Sequence, residues 1–218
     1  MASLLNYPLL LRFLGTICLL IGGSMGFSLP FAFPQFAERT HLPPAAEFEQ
    51  AGAYGLLASM MVSFVVGLLF RFFGRSYRHG GQLFRKEAMA IVGLSWVSAT
   101  VLGALPYYFS GPQTTAENPI TFIEAMFESQ SGFSTTGATV LTDLESPGMV
   151  PHCILFWRSW THFLGGLGIV VLFVAILGQG SAGKAMMRAE MPGPTKVGSM
   201  PRMQHSALVF AAIYLGLN

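Results

Sequence analysis

The sequence has 218 residues, of which 52% are hydrophobic and only 10% are charged, and its mean hydropathy is +0.55. Soluble domains carry about 25% charged residues, so the composition excludes an ordinary soluble domain and indicates a chain that has lipid as its solvent. The net charge of +2 gives no reason to expect a nucleic-acid partner, and the two cysteines, Cys18 and Cys153, are too few for a disulfide framework or a metal cluster.

Four segments are long and apolar enough to cross a bilayer. They cover residues 9–33, 52–73, 87–109 and 153–178, and a helix needs about 20 apolar residues to span the hydrocarbon core. Since irregular backbone cannot face lipid, each segment is predicted to be an α-helix. A further apolar run, residues 206–218, is too short to span and reads as the truncated start of another unit. The predicted fold class is an all-α polytopic membrane protein.

The charges between the spans predict their orientation. Residues 71–86 carry five Lys or Arg side chains, and residues 184–202 carry four against one acid. Residues 38–49 carry three acids against one Arg, and residues 110–150 carry five acids and no Lys or Arg. Because Lys and Arg are enriched in cytoplasmic loops, the basic loops and the N-terminus are predicted to lie inside and the acidic segments outside.

A short helix is predicted between the third and fourth spans. Asn118 and Pro119 suit the cap and first position of a helix. Apolar side chains then recur at helical spacing to Gln130, and the helix is predicted to end near Ser131 and Gly132. About four turns are too few to cross the bilayer.

The segment that follows is rich in small hydroxyl residues around one glycine, with the sequence STTGAT at residues 134–139. A short helix and a small-residue strand between two spans are typical of a re-entrant pore loop, in which backbone carbonyls replace the water shell of a cation. Glycine would allow successive carbonyls to face one axis, and the C-terminal end of the short helix would favour a cation. The alternative is an extracellular loop with an amphipathic helix lying on the membrane.

The predicted fourth span contains a charge, Arg158, which is costly in the membrane unless it is paired. Glu124 or Glu128 on the short helix is the expected partner, and the pair would fix that helix against the span. His162, one turn after Arg158, is interpreted as a helix-contact residue. Three glycines of the same span are expected to allow close packing or gating flexibility: Gly165, Gly166 and Gly168.

Three separated strings closely resemble the TrkH/TrkG/KtrB family of potassium transporters. They are FESQSGFSTTGATV at residues 127–140, FWRSW with FLGGLGI at residues 156–160 and 163–169, and RAEMPGP at residues 188–194. The first resembles the first selectivity-filter region of the family, the second the helix that follows it, and the third the cytoplasmic link to the next repeat.

The resemblance implies a domain plan. In that family one chain carries four helix–pore loop–helix repeats around one ion path, with two extra helices at the start of TrkH-type members. Residues 1–80 would then be the two extra helices and residues 81–180 the first repeat. Residues 181–205 would be the cytoplasmic linker, and residues 206–218 the start of a truncated second repeat.

The resemblance also implies a substrate, partners and a location. The predicted potassium ligands are Thr135, Thr136, Gly137 and Ala138, with Thr139 as a weaker candidate. A glycine in the filter favours potassium over sodium, whereas symport with protons or sodium stays open. The family implies a cytoplasmic nucleotide-binding subunit of the TrkA or KtrA type, a homodimer of the full-length protein and the bacterial inner membrane.

Two other functions compete with potassium uptake. The chain could be a non-conducting fragment or an accessory membrane subunit, because one strand cannot close a ring of carbonyls. An intramembrane serine protease would need Ser131 or Ser134 as nucleophile and His162 as base, and no recognisable nucleophile motif accompanies these serines.

Overall fold

The computed structural model describes residues 6–33, 44–76, 85–115, 118–144, 149–166 and 168. The elements follow in chain order: α1 (Tyr7–Met25), a 3-10 helix (Gly26–Ala32), α2 (Pro44–Phe73), a 3-10 turn (Gly74–Ser76), α3 (Arg85–Ser110), β1 (Gln113–Thr115), β2 (Asn118–Pro119), α4 (Phe122–Phe133) and α5 (His152–Gly166). The strands β1 and β2 form one small antiparallel pair. The prediction of an all-α polytopic membrane protein is confirmed.

Helices α1, α2 and α3 alternate in direction, so their ends meet in two groups. At one end a Cβ added to Gly55 would lie 2.6 Å from the backbone nitrogen of Ser110, and we call this the Ser110 end. At the other end the backbone N–H of Asn6 donates to a Glu87 carboxylate oxygen at 3.2 Å, and we call this the Glu87 end. Each helix therefore runs the full height of the bundle.

Glycine brings the backbones of α1 and α2 into close contact. A Cβ added to Gly15 would lie 2.6 Å from the carbonyl oxygen of Gly67, and one added to Gly22 would lie 2.8 Å from Cβ of Ser63. Small residues at such crossings let helices pack where lipid offers no hydrophobic drive for association. Larger side chains at these positions would separate the two helices.

The first predicted span is not α-helical throughout. The α-helix ends at Met25, and Gly26–Ala32 continue as a 3-10 helix that contains Pro30. Proline has no N–H and its ring clashes with the carbonyl four residues earlier, so Pro30 is unfavourable in a regular α-helix.

Three helical segments of the described chain have the length and apolarity to cross a membrane: Tyr7–Ala32, Phe48–Phe73 and Met89–Ser110. Helix α2 exposes large apolar side chains along its length, including Tyr54, Met61 and Leu68, as expected for a helix surrounded by lipid or other apolar helices. Of the predicted fourth span, residues 153–166 lie in the helix His152–Gly166, and apart from Gly168 its remainder lies outside the described residues. So do residues 181–205 and 206–218, and the domain boundaries stay predictions.

Candidate filter loop

Helix α4 enters the bundle from the Ser110 end and stops halfway down. The ring of Phe122, its first residue, packs edge-on against Tyr108 with centroids 5.6 Å apart. Near its other end, Gln130 accepts a hydrogen bond from the Thr100 hydroxyl. Thr100 lies ten residues before the end of α3, about 15 Å along its axis, which is about half of a 30 Å hydrocarbon core.

The start of α4 differs from the prediction. Asn118 and Pro119 form β2 rather than the cap and first turn, and the cap is Thr121. The Thr121 hydroxyl accepts from the backbone N–H of Glu124 at 3.3 Å, while the Glu124 carboxylate accepts from the backbone N–H of Thr121 at 2.8 Å. This capping box satisfies two terminal groups at once, which the Asn-Pro pair cannot do. Hydrogen bonds from the backbone N–H and then the hydroxyl of Thr121 lower the pKa of Glu124.

The face of α4 that packs into the bundle is mostly small and polar and ends at the buried Phe133, whereas three other large apolar side chains point outward. Glu128 and Ser129 are buried, and Phe122, Ile123 and Phe127 are exposed. Helix α4 therefore presents an apolar surface for lipid or further helices and keeps its polar groups for the loop that follows.

The loop at residues 134–139 leaves α4 in a tight turn and exposes its side chains. The backbone N–H groups of Ser134 and Thr136 donate to the carbonyls of Gln130 and Ser131 at 2.8 and 3.0 Å. Thr135 has a φ of 58° and Gly137 a φ of 76°. Glycine tolerates this left-handed region, whereas a residue with a side chain is strained there.

The buried carboxylate of Glu128, 1% exposed, organises the loop. One oxygen accepts from the Thr139 hydroxyl at 2.6 Å and from the backbone N–H of Val140 at 2.7 Å. The other accepts from Nε of Arg158 at 3.3 Å. Helix α4, the loop and α5 therefore meet at one carboxylate. The partner of Arg158 is Glu128 rather than Glu124, which belongs to the capping box.

The four predicted potassium ligands are consecutive in this loop, but their carbonyls differ. The Gly137 carbonyl accepts from Nη2 of Arg158 at 3.1 Å, and the Ala138 carbonyl accepts from the Ser131 hydroxyl at 2.6 Å. Among the hydrogen bonds of the described residues, none ends on the carbonyl of Thr135 or Thr136. The Thr139 hydroxyl turns toward Glu128, so its side chain serves the loop's anchorage.

Close contact between α4 and α5 depends on glycine. A Cβ added to Gly165 would meet the carbonyl oxygen of Phe133 and lie 2.7 Å from its carbonyl carbon. A Cβ added to Gly132 would overlap the Thr161 hydroxyl. Gly166 is the last residue of α5. Gly168 has a φ of 65°, and its N–H donates to the Gly165 carbonyl at 2.9 Å.

The serines and histidine considered for a protease do not form a catalytic pair here. Nδ1 of His162 donates to the Arg158 carbonyl at 2.8 Å. The Ser131 hydroxyl bonds the Ala138 carbonyl, and the Ser134 hydroxyl bonds the Thr136 hydroxyl at 2.8 Å. Among these described contacts neither serine meets the histidine, so the geometry gives no support to a nucleophile–base arrangement.

Two contacts that hold α5 were missed from the sequence. The indole N–H of Trp157 donates to the Gly103 carbonyl at 3.1 Å in the buried core. Glu49, at the start of α2, accepts from the backbone N–H of His152 at 3.1 Å and lies 2.6 Å from its ring Nδ1. The sequence analysis counted Glu49 only as one of the acidic charges of residues 38–49. No sequence pattern links it to His152, about 100 positions away.

The candidate ligands that the loop presents to a cation are therefore carbonyl and hydroxyl oxygens, and no carboxylate is among them. Across the described part of the chain, no cluster of three His, Cys, Asp or Glu could hold a metal ion. Carbonyl and hydroxyl oxygens at the C-terminal end of α4 suit a monovalent cation that exchanges its water shell for protein oxygens.

A family model and the individual relatives that match this chain all belong to the same group of transport proteins. The family model described as "TrkH: Cation transport protein" matches residues 58–218. The chain is 44% identical over 144 residues to the Trk system potassium uptake protein TrkH of Salmonella typhimurium, covering 65% of this chain and 28% of that protein. It is 45% identical over 141 residues to TrkH of Escherichia coli K12, covering 63% and 27%. Identity to the Escherichia coli K12 potassium uptake protein TrkG is 36% over 144 residues, covering 63% and 28%.

No solved structure matches the chain. The matched part of the chain spans about 28% of the length of these relatives. The family model covers well over half of the chain, in the region that carries the short helix, the loop and α5. The chain therefore belongs to the TrkH family of cation transport proteins.

Proposed function

We propose that this chain supplies one strand of a potassium selectivity filter in an uptake system of the Trk type. The observation that carries the proposal is the loop after α4. It lies at half the depth of the bundle, has residues 134–139 exposed, leaves the Thr135 and Thr136 carbonyls without a hydrogen bond among the described contacts, and is anchored by the buried Glu128 carboxylate. The proposed ligands are Thr135, Thr136, Gly137 and Ala138.

The chemistry of the loop supports potassium as the substrate. A partly dehydrated monovalent cation is bound by several neutral oxygens, and backbone carbonyls supply them at low electrostatic cost. The partial negative charge at the C-terminal end of α4 adds attraction. Gly137 adopts a left-handed φ at which a residue with a side chain would be strained. The relatives named above are potassium uptake proteins.

One strand supplies one side of an ion path. We propose that the remaining strands come from further repeats of a longer protein or from further copies of this chain. In this plan residues 1–80 form two accessory helices and residues 81–180 the first repeat. Residues 181–205 link to the start of a second repeat at residues 206–218. The alternative, a non-conducting membrane subunit, is distinguished by the experiment below.

The wider assignments rest on the family resemblance. We propose an ion transporter subunit rather than an enzyme, in the bacterial inner membrane with its N-terminus in the cytoplasm. The excess of Lys and Arg at residues 71–86 and 184–202 supports this orientation. The proposed partners are a cytoplasmic nucleotide-binding subunit of the TrkA or KtrA type and a second copy of the full-length protein.

Growth of a bacterium that lacks potassium uptake tests the proposal. The gene that encodes this chain, with whatever follows codon 218, should restore growth at low potassium, and Gly137→Arg should abolish it. Gly93→Ala is the matched control, because a Cβ added there meets nothing within 4 Å. Rescue by the 218 residues alone would mean that copies assemble into a pore. An intact gene that reaches the membrane without rescuing growth would contradict potassium uptake and favour the non-conducting subunit.

A further inference from the structure

Arg158 touches the filter loop directly as well as its anchor. Its Nε donates to Glu128 at 3.3 Å, and its Nη2 donates to the Gly137 carbonyl at 3.1 Å. The side chain is 18% exposed. A guanidinium remains protonated at all physiological pH values, so a permanent positive charge lies against one of the four proposed potassium ligands.

We propose that Arg158 acts as a tethered cation that makes the Gly137 carbonyl the weakest potassium ligand of this strand and so sets the apparent affinity of the transporter. The inference rests on the proposed function. A carbonyl oxygen has two acceptor sites, so Gly137 could bind Arg158 and an ion together. The ion would then lie within a few ångström of a like charge, which the Glu128 carboxylate paired with Arg158 offsets only in part.

The contact of Arg158 with the Gly137 carbonyl is not needed to hold the loop in place, because the loop has other anchors. Glu128 holds Thr139 and the Val140 N–H, and the Ser131 hydroxyl holds the Ala138 carbonyl. These bonds fix the loop on the C-terminal side of Gly137 without the guanidinium. What Arg158 adds at Gly137 is its charge.

The carbonyls of the strand are therefore unequal. In the described part of the loop, the Thr135 and Thr136 carbonyls accept no hydrogen bond, whereas that of Ala138 accepts one from a neutral hydroxyl and that of Gly137 one from a cation. A bond from a charged donor polarises the oxygen more strongly than one from a neutral donor. Ion binding should be concentrated at the Thr135 and Thr136 carbonyls.

The test is potassium-uptake kinetics of the complete gene in the deletion strain, with membrane protein quantified by immunoblot. The variant Glu128→Gln/Arg158→Gln removes both charges together, so neither is left buried without a partner. We expect KM for potassium to fall by about threefold or more, with Vmax per molecule little changed. Loss of structure alone would lower Vmax and leave KM in place. Ser159→Ala, on the exposed side of α5, is the control and should match the wild type.

Arg158→Lys tests whether KM depends on the positive charge or on the geometry of the guanidinium. It replaces the double variant as the test if that variant accumulates poorly in the membrane. Lysine keeps the positive charge but lacks the planar fork, so KM should stay within about twofold of the wild type. An unchanged or raised KM in the double variant overturns the inference, and so does a Lys variant with a KM lowered by threefold. A wild-type gene without potassium uptake refutes the proposed function itself, whereas failure of the variants alone refutes only the role of Arg158.

Discussion

The contact between Gly165 and the end of α4 predicts that Gly165→Ala destabilises the protein. The added Cβ would lie 2.7 Å from the carbonyl carbon of Phe133 and closer still to its oxygen. Ordinary contacts between carbon atoms are about 3.5–4.0 Å, so α5 and α4 would have to separate by roughly 1 Å. Because the obstacle is backbone, no side-chain rotation relieves it. Overpacking of this kind costs about 1–3 kcal/mol, which exceeds the gain of up to about 1 kcal/mol from replacing glycine in a helix.

Gly93→Ala is the matched comparison, since Gly93 is exposed within α3 and an added Cβ meets nothing within 4 Å. It should leave stability unchanged or raise it by up to about 1 kcal/mol. The assay is thermal unfolding of the purified chain in detergent, followed by the fraction that stays monodisperse on gel filtration after heating. A Gly165→Ala chain as stable as the Gly93→Ala chain would refute the close packing of α4 and α5.

Four further substitutions test the anchors of α4 and α5 by the same assay. Thr121→Ala should cost about 1 kcal/mol at neutral pH. The pKa of Glu124 is lowered in the folded protein, so its ionised carboxylate stabilises the fold above the unfolded pKa of about 4.3. This stabilisation is lost as pH falls through the folded pKa. The difference in stability between wild type and Thr121→Ala should therefore narrow in acid. Trp157→Phe removes the donor to a buried carbonyl of α3 and should cost about 1 kcal/mol; no loss would contradict that bond. Glu49→Ala should cost about 1.5–3 kcal/mol, and His152→Ala less, since the backbone N–H bond to Glu49 survives; equal losses would assign the contact to the ring alone.

The membrane spans were predictable because they depend on composition over some 20 residues. The predicted limits of the second and third spans, residues 52–73 and 87–109, fall within α2 and α3. The first span ends in a 3-10 helix that contains Pro30, and a count of apolar residues does not detect such a local change of helix type. The presence of a short helix after the third span and its end near residue 132 were also predictable, because the glycine-containing string follows an apolar repeat.

The start of α4 was predicted three residues early, because the chain contains two cap signals in succession. Asn118-Pro119 is one, and Thr121 with Glu124 three residues later is the other. The second forms two reciprocal hydrogen bonds, whereas the first is used for pairing with β1. A search for Ser or Thr followed three residues later by Glu or Gln would have found it.

The sequence presents Glu124 and Glu128 as equivalent partners for Arg158, since both lie on one face of a helix, four residues apart. Their depth in the bundle decides between them. Glu124 lies in the first turn of α4, where the backbone N–H and hydroxyl of Thr121 and solvent are within reach. Glu128 lies one turn deeper, with 1% of its surface exposed, and an isolated carboxylate there would be costly. It is held by three donors, Arg158 among them. The carboxylate that pairs with Arg158 is therefore also an anchor of the loop, so loss of Glu128 would disturb both the ion pair and the loop.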